Sequence, residues 1–219
     1  MKLNKLAIAV GAAVMGMASV AQAELSANIG ATSNYLWRGV SQTGDEAAVQ
    51  GGIDYAHDSG FYAGTWASNV SGGEELDLYA GFGGEAGSVG YDVGVIYYAY
   101  PSLTDSDFTE VYGSVSFGPA TVGVAYTFSG ENDGGNFDDG DLYYYVSAST
   151  DLGDGWGLGG TIGHYNFENV GSLDDYTHAQ IDVSKSAGDF GDFTFSVSKA
   201  GKDSGDDDII PVVSWSKSF

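Results

Sequence analysis

The residues that could do chemistry are charged, and one of them has the wrong sign for its surroundings. Arg38, the only arginine, sits in the run N-Y-L-W-R-G-V-S-Q-T (34–43) of a 219-residue chain with 30 acidic residues and a formal net charge of −23. Isolated carboxylates recur along the rest of the chain between alternating apolar positions: Asp54, Glu75, Asp77, Asp92, Glu110 and Asp182. A guanidinium facing such carboxylates can do two things. It can set a transverse field that sorts ions in a constriction, or it can brace a wall as a structural ion pair. Both readings of Arg38 stand on sequence alone, and they can coexist.

Other chemistries fare worse. The three histidines, His57, His164 and His178, lie in no recognisable nucleophile motif, and G-x-S-x-G is absent, so the chain does not read as an enzyme. A barrel lipid hydrolase using Ser and His on an outer wall is the weakest alternative. There is no cysteine, which removes disulfides and thiolate metal sites. The acidic runs D-D-G-D (138–141) and D-S-G-D-D-D (203–208) offer hard oxygen ligands, but they lack the spacing and terminal Glu of a calcium loop and read as solvated loops. No cofactor or metal is expected. The strong negative charge disfavours nucleic acid as a partner.

These residues must be positioned by strands. After a leader with Lys2 and Lys5, an apolar run Leu6–Met17 and a small-x-small site at Ala21-Gln22-Ala23, residues 1–23 read as a cleaved signal peptide and 24–219 as the mature domain. About ten residues at a time, the mature chain then alternates with period two, apolar against polar, in twelve windows. Leu25, Ala27, Ile29, Ala31, Tyr35 and Trp37 share one parity of the first, with Arg38 on the other. The facing of 61–70, F-Y-A-G-T-W-A-S-N-V, is unsettled because both parities hold aromatics. Connectors alternate between tight turns and mostly longer acidic segments.

An all-β, antiparallel up-and-down transmembrane barrel of about twelve strands, with both termini periplasmic, accounts for this arrangement. A soluble sandwich would carry a lysine-rich polar face. This one is Gly, Ser, Tyr, Asn and single carboxylates, the mixture that fits a small barrel interior. On that parity Arg38, Asp54, Glu75, Asp77, Asp92, Glu110 and Asp182 line the lumen, while Tyr35, Trp37, Trp156 and Trp215 belong to the lipid-interface girdles. The terminal Phe219, with Trp215 and Val213 before it, reads as the assembly signal of an outer-membrane barrel, recognised by the barrel assembly machinery.

The blocks Y-L-W-R-G-V-S-Q-T (35–43), Q-G-G-I-D-Y-A-H (50–57) and G-F-Y-A-G-T-W-A-S-N-V (60–70) resemble the signature of the TorF family, proteobacterial outer-membrane β-barrel proteins assigned as porins. The resemblance implies an outer-membrane channel and names no cargo. Together with the carboxylate-rich lumen, it sets the expectation of passive diffusion of small solutes or ions with a preference for cations. The protein would then contact outer-membrane lipid and lipopolysaccharide. A closed barrel serving as wall, receptor or adhesin is the alternative.

Overall fold

The computed structural model describes residues 24–169 and 173–219, so the expected signal peptide lies outside the described residues. Strand β1 (Glu24–Thr32) is followed by a small hairpin, β2 (Leu36–Trp37) and β3 (Val40–Ser41). Eleven long strands come next: β4 (Ala48–Ala56), β5 (Phe61–Val70), β6 (Gly73–Ala86), β7 (Val89–Ala99), β8 (Phe108–Phe117), β9 (Ala120–Gly130), β10 (Leu142–Gly153), β11 (Trp156–Asn166), β12 (Tyr176–Ser186), β13 (Asp192–Ala200) and β14 (Ile209–Ser218). Apart from the hairpin they form one closed antiparallel barrel of twelve strands, β1 pairing with β4 on one side and with β14 on the other. Closure leaves no unpaired strand edge. Asn28 lies opposite Ser218, and Ala27 and Phe219 exchange backbone hydrogen bonds, so both ends of the described chain sit at the rim of tight turns.

Period-two alternation decides the two faces. Val93, Val95, Val115, Val122, Val124, Ile162, Ile181, Phe195 and Val213 are exposed on the outside, and their sequence neighbours face inward. In β5 the even positions turn inward: Tyr62 and Ser68 are buried and Phe61 is exposed, which settles the segment whose parity the sequence leaves open. One connector expected to be a longer loop is only Ser71–Gly72, because β5 and β6 extend to meet there, with Gly72 at φ +85°. The other connectors at that rim are long; the opposite rim carries short turns.

The first strand departs from expectation. It was expected to carry its alternation through Trp37, but it ends at Thr32, and the chain leaves the wall at Ser33 and Asn34. The hydroxyl of Thr32 donates to the Asn34 carbonyl at 2.8 Å, and Ser33 N–H to Val213 O at 2.9 Å. Residues 35–42 then fold into the barrel. Tyr35 and Trp37 are therefore not girdle residues: both are only 7 % exposed and lie inside. Trp156 stays outside on the turn rim, where Lys185 approaches its ring. Trp215 lies partly buried at the same rim and donates its indole N–H to the Phe190 carbonyl at 2.8 Å.

An outer belt of this apolarity, if covered by hydrocarbon, is sensitive to charge. Val93→Lys, near the middle of β7, should cost about 2–4 kcal/mol of folding free energy in phospholipid vesicles by urea titration. An unchanged unfolding midpoint would mean that lipid does not cover this face.

Candidate functional site: an arginine hairpin inside the barrel

The hairpin brings Arg38 to the centre of the sealed half of the lumen. Arg38 and Gly39 form its two-residue turn with φ of +49° and +87°, the two positive values a type I′ turn requires. Trp37 pairs with Val40, and Gln42 N–H donates to Tyr35 O at 2.7 Å. The base is fixed around Asn34, whose amide N–H donates to Asp45 at 2.7 Å while its carbonyl oxygen accepts from Ser41 and Thr43. A backbone bond from Ser71 N–H to Gln42 O, 2.8 Å, fastens the returning segment to the β5–β6 turn. At the tip, a Cβ on Gly39 would come within 2.5 Å of the His178 Cβ, so glycine is needed both for its backbone and for its seat on the wall.

The guanidinium meets Glu110 fork to fork, Nη1 to Oε1 at 2.8 Å and Nη2 to Oε2 at 2.5 Å. Glu110 also accepts the hydroxyls of Tyr98, Thr127 and Tyr165 at 3.3–3.4 Å. Both partners are nearly without solvent, 8 % and 1 % exposed. Such burial is tolerated only when the pair is bidentate and its remaining lone pairs are occupied, as they are here. A register shift between β8 and β9 falls at Thr109 and Glu110, immediately beside the carboxylate; bulges of this kind re-aim side chains.

Aromatic rings enclose the pair. The guanidinium carbon lies 4.2 Å from the ring centres of Trp37 and Tyr143 and 5.0 Å from that of Tyr165. Trp37 contacts Tyr98, Phe108 and Phe137 edge to face at 5.6–6.0 Å, and Tyr35 meets Trp66 at 5.5 Å while donating its hydroxyl to Glu75 at 3.2 Å. Phe137 comes from the β9–β10 loop and closes the layer from the loop rim. Its N–H donates to Asp141 at 2.6 Å, and Asp141 also accepts from Glu168 N–H at 2.9 Å, tying that loop to the next.

All seven residues expected at the lumen face the interior, but at two depths. Arg38, Glu75, Asp77 and Glu110 belong to the sealed layer near the loop rim; Asp54 and Asp92 lie toward the turn rim and remain half-buried. Asp182, also toward the turn rim, is 1 % exposed and accepts from Ser196 at 2.6 Å and Gln180 at 2.8 Å. Arg38 reaches the interior from a turn rather than from a strand of the wall. In the half toward the turn rim, Asp54 accepts from Tyr79, and Asp92 from Tyr62 at 2.9 Å. The interior tyrosines lie across glycines of adjacent strands: a Cβ on Gly64 would meet the Tyr79 ring at 2.6 Å, and Tyr112 and Tyr145 cover Gly94 and Gly123 in the same way. This packing holds the rings against the wall.

The tyrosine cage was not foreseen. Nothing in the sequence ties Tyr98, Tyr143 and Tyr165 to Arg38, because they come from β7, β10 and β11, far away along the chain. The one local signal for the hairpin is the R-G pair between two short pieces, L-W and V-S.

A closed, twelve-stranded, outwardly apolar barrel with a polar interior defines this chain as a porin-like β-barrel. The chain belongs to the Gcw_chp family, described as bacterial protein of unknown function, whose profile matches residues 17–208. Among solved structures, the KdgM porin superposes with a TM-score of 0.62 at 7 % identity, over 89 % of this chain and 98 % of the other. The NanC porin gives 0.58 at 8 % identity over 88 % and 98 %. At such identities the likeness is one of fold. No curated protein sequence matches the chain.

The cage makes Gly163 irreplaceable. A Cβ there would fall 2.5 Å from His178 Nε2 and 2.8 Å from the Tyr143 ring, in the middle of their 2.9 Å hydrogen bond. Gly163→Ala should destabilise the folded barrel by about 1–3 kcal/mol. Gly160→Ala, whose Cβ meets nothing nearer than Gln180 O at 3.4 Å, should be neutral or slightly stabilising in the same denaturant titration.

Proposed function

We propose that the protein is an outer-membrane channel of the porin type, narrow, cation-preferring and held shut at rest by its own hairpin. The observation that carries this reading is the asymmetry of the lumen. Half-buried carboxylates, Asp54 and Asp92, line the half toward the turn rim, while the other half is closed by the 35–42 hairpin packed among wall aromatics and Phe137 of the β9–β10 loop. Six interior carboxylates against one guanidinium make the interior electronegative, which favours cations over anions. One KdgM structure is described as a complex with oligogalacturonate, a polyacid, at a TM-score of 0.59 and 6 % identity. The interior charge of this chain opposes such a cargo, so the shared fold does not carry that substrate over.

The likeness of residues 35–70 to the TorF porins supports the same reading. Termini at the turn rim fit a periplasmic placement, with the long acidic loops outside near lipopolysaccharide and the C-terminal strand, ending in Phe219, available to the assembly machinery. The channel reading takes the protein as a non-enzyme. His164, on the outer wall, hydrogen-bonds Thr177 at 2.8 Å and packs on Tyr144, with no serine nucleophile in the contact.

Planar-bilayer recording tests the proposal. Wild-type protein should give rare, small stepwise openings whose reversal potential in a KCl gradient is that of a cation-selective pore. Glu110→Gln leaves Arg38 buried without its counter-charge, so it should lower barrel stability by about 3–5 kcal/mol and raise the open fraction. Silence from both proteins, with folding intact by heat-modifiable mobility, would instead favour a closed barrel acting as wall or receptor.

The chain's lack of cysteine allows a second test. Cysteines at Gln42 and Ser71, whose backbones are hydrogen-bonded, should form a disulfide that keeps the hairpin in place. Conductance should fall on oxidation and return with reductant; conductance indifferent to the thiol state would remove the hairpin from the gating mechanism.

A further inference from the structure

We propose that the cage around Arg38 is itself a solute site, selective for small molecules bearing a guanidinium group, and that Arg38 occupies it as a built-in competitor. This rests on the channel reading above and adds to it the class of ligand. The geometry carries it. When the hairpin withdraws, Arg38 and Trp37 leave together. The barrel wall keeps Glu110, already aligned for two parallel N–H donors at 2.8 and 2.5 Å, and the rings of Tyr143 and Tyr165, whose centres lie 4.2 and 5.0 Å from the guanidinium carbon. The hydroxyls of Tyr98 and Thr127 continue to hold the carboxylate in that orientation.

A planar, delocalised cation that forms two hydrogen bonds to one carboxylate and stacks on aromatic faces is what this arrangement recognises. A compact ammonium satisfies only the charge. Three further observations mark the cage as more than a brace. Glu110 stays in the layer when Arg38 leaves, with both oxygens that accepted the guanidinium still directed inward, so the layer retains attraction for a cation. Glu75 and Asp77 are hydrogen-bonded to each other, and Tyr35, on the same hairpin as Arg38, donates to Glu75 at 3.2 Å, so withdrawal of the hairpin also frees an acceptor on Glu75. The competing group is carried on a turn, the kind of element that can exchange with a ligand without breaking the wall. A solute binding only the hairpin-out state must shift the equilibrium by its differential affinity.

Two measurements test this, one on the native chain. In bilayers, n-propylguanidinium added on the loop side should raise the open fraction of wild-type channels about tenfold, at a concentration where n-propylammonium does almost nothing. In detergent, Arg38→Gly, which suits a residue at φ +49°, empties the cage. n-Propylguanidinium should raise its melting temperature, and the effect should vanish in the Arg38→Gly/Glu110→Gln protein. Equal responses to the two cations, or none in folded Arg38→Gly and in wild type, overturn the proposal. Stepwise currents without a guanidinium-specific effect in either assay remove the site and leave the channel. Guanidinium-specific, Glu110-dependent stabilisation with silent bilayers leaves the site and removes the channel.

Discussion

The interior of this barrel is organised by one buried ion pair. Glu110 on the wall could not be dehydrated alone, and neither could Arg38; only their fork-to-fork contact, with three hydroxyls filling the remaining lone pairs, makes burial of both tolerable. The pair fixes where the hairpin tip must sit. From that follow the seat of Gly39 on His178, the edge-to-face contacts of Trp37 and the closing of the layer by Phe137. A buried ion pair contributes little net stability compared with apolar packing. Its value here is specificity of position: no other cation in the chain could take the place of Arg38, since the four lysines of the described chain lie on the outer surface or in loops.

The wall was readable because all its strands but β5 repeat the same clear two-residue rhythm, apolar outward and polar inward, along their length. Val93, Val95 and Tyr97 alternate with Asp92 and Tyr98 in the sequence, and they do so in the barrel. The same rhythm hid the hairpin. Tyr35 and Trp37 continue the parity of Leu25 to Ala31, so alternation alone extends β1 by five residues and puts two aromatics on lipid. What breaks the strand is local and weak: the Thr32 hydroxyl donates to the Asn34 carbonyl, the Ser33 hydroxyl accepts from Val213 N–H, and the pair Arg38-Gly39 takes positive φ. Arginine is an unusual first residue for such a turn, and its cost is met by the contacts its side chain makes at a distance.

The site was legible in its ingredients and not in its assembly. Each carboxylate could be assigned to the interior from parity, because a charge on the lipid face is expensive. Which carboxylate would meet Arg38 could not be read, since choosing Glu110 depends on how deep a hairpin descends and where a register shift in β8–β9 aims one side chain. The tyrosines of the cage were legible only as members of their strands.

The glycines explain why a barrel of this width needs a hairpin to be closed at all. An interior tyrosine projecting toward the axis would obstruct the lumen by itself. Here Tyr79, Tyr112 and Tyr145 are laid against the wall, each over a glycine that has no Cβ to lift it. Gly and Tyr therefore act as one unit: the ring supplies the cross-strand contact that glycine cannot, and glycine supplies the clearance the ring needs. A wall flattened in this way leaves the axis to whatever enters it. In the half toward the turn rim that space is flanked by Asp54 and Asp92, and in the other half it is filled by residues 35–42 together with aromatics such as Tyr98, Phe108 and Tyr165 and with Phe137 of the β9–β10 loop. The part of the obstruction that the hairpin supplies thus lies in a segment tied to the barrel by side chains and a few backbone bonds, outside the continuous ladders of the sheet. An element bound in that way can be displaced while the barrel stays folded, whereas an obstruction built from the strands themselves could be relieved only by unfolding them.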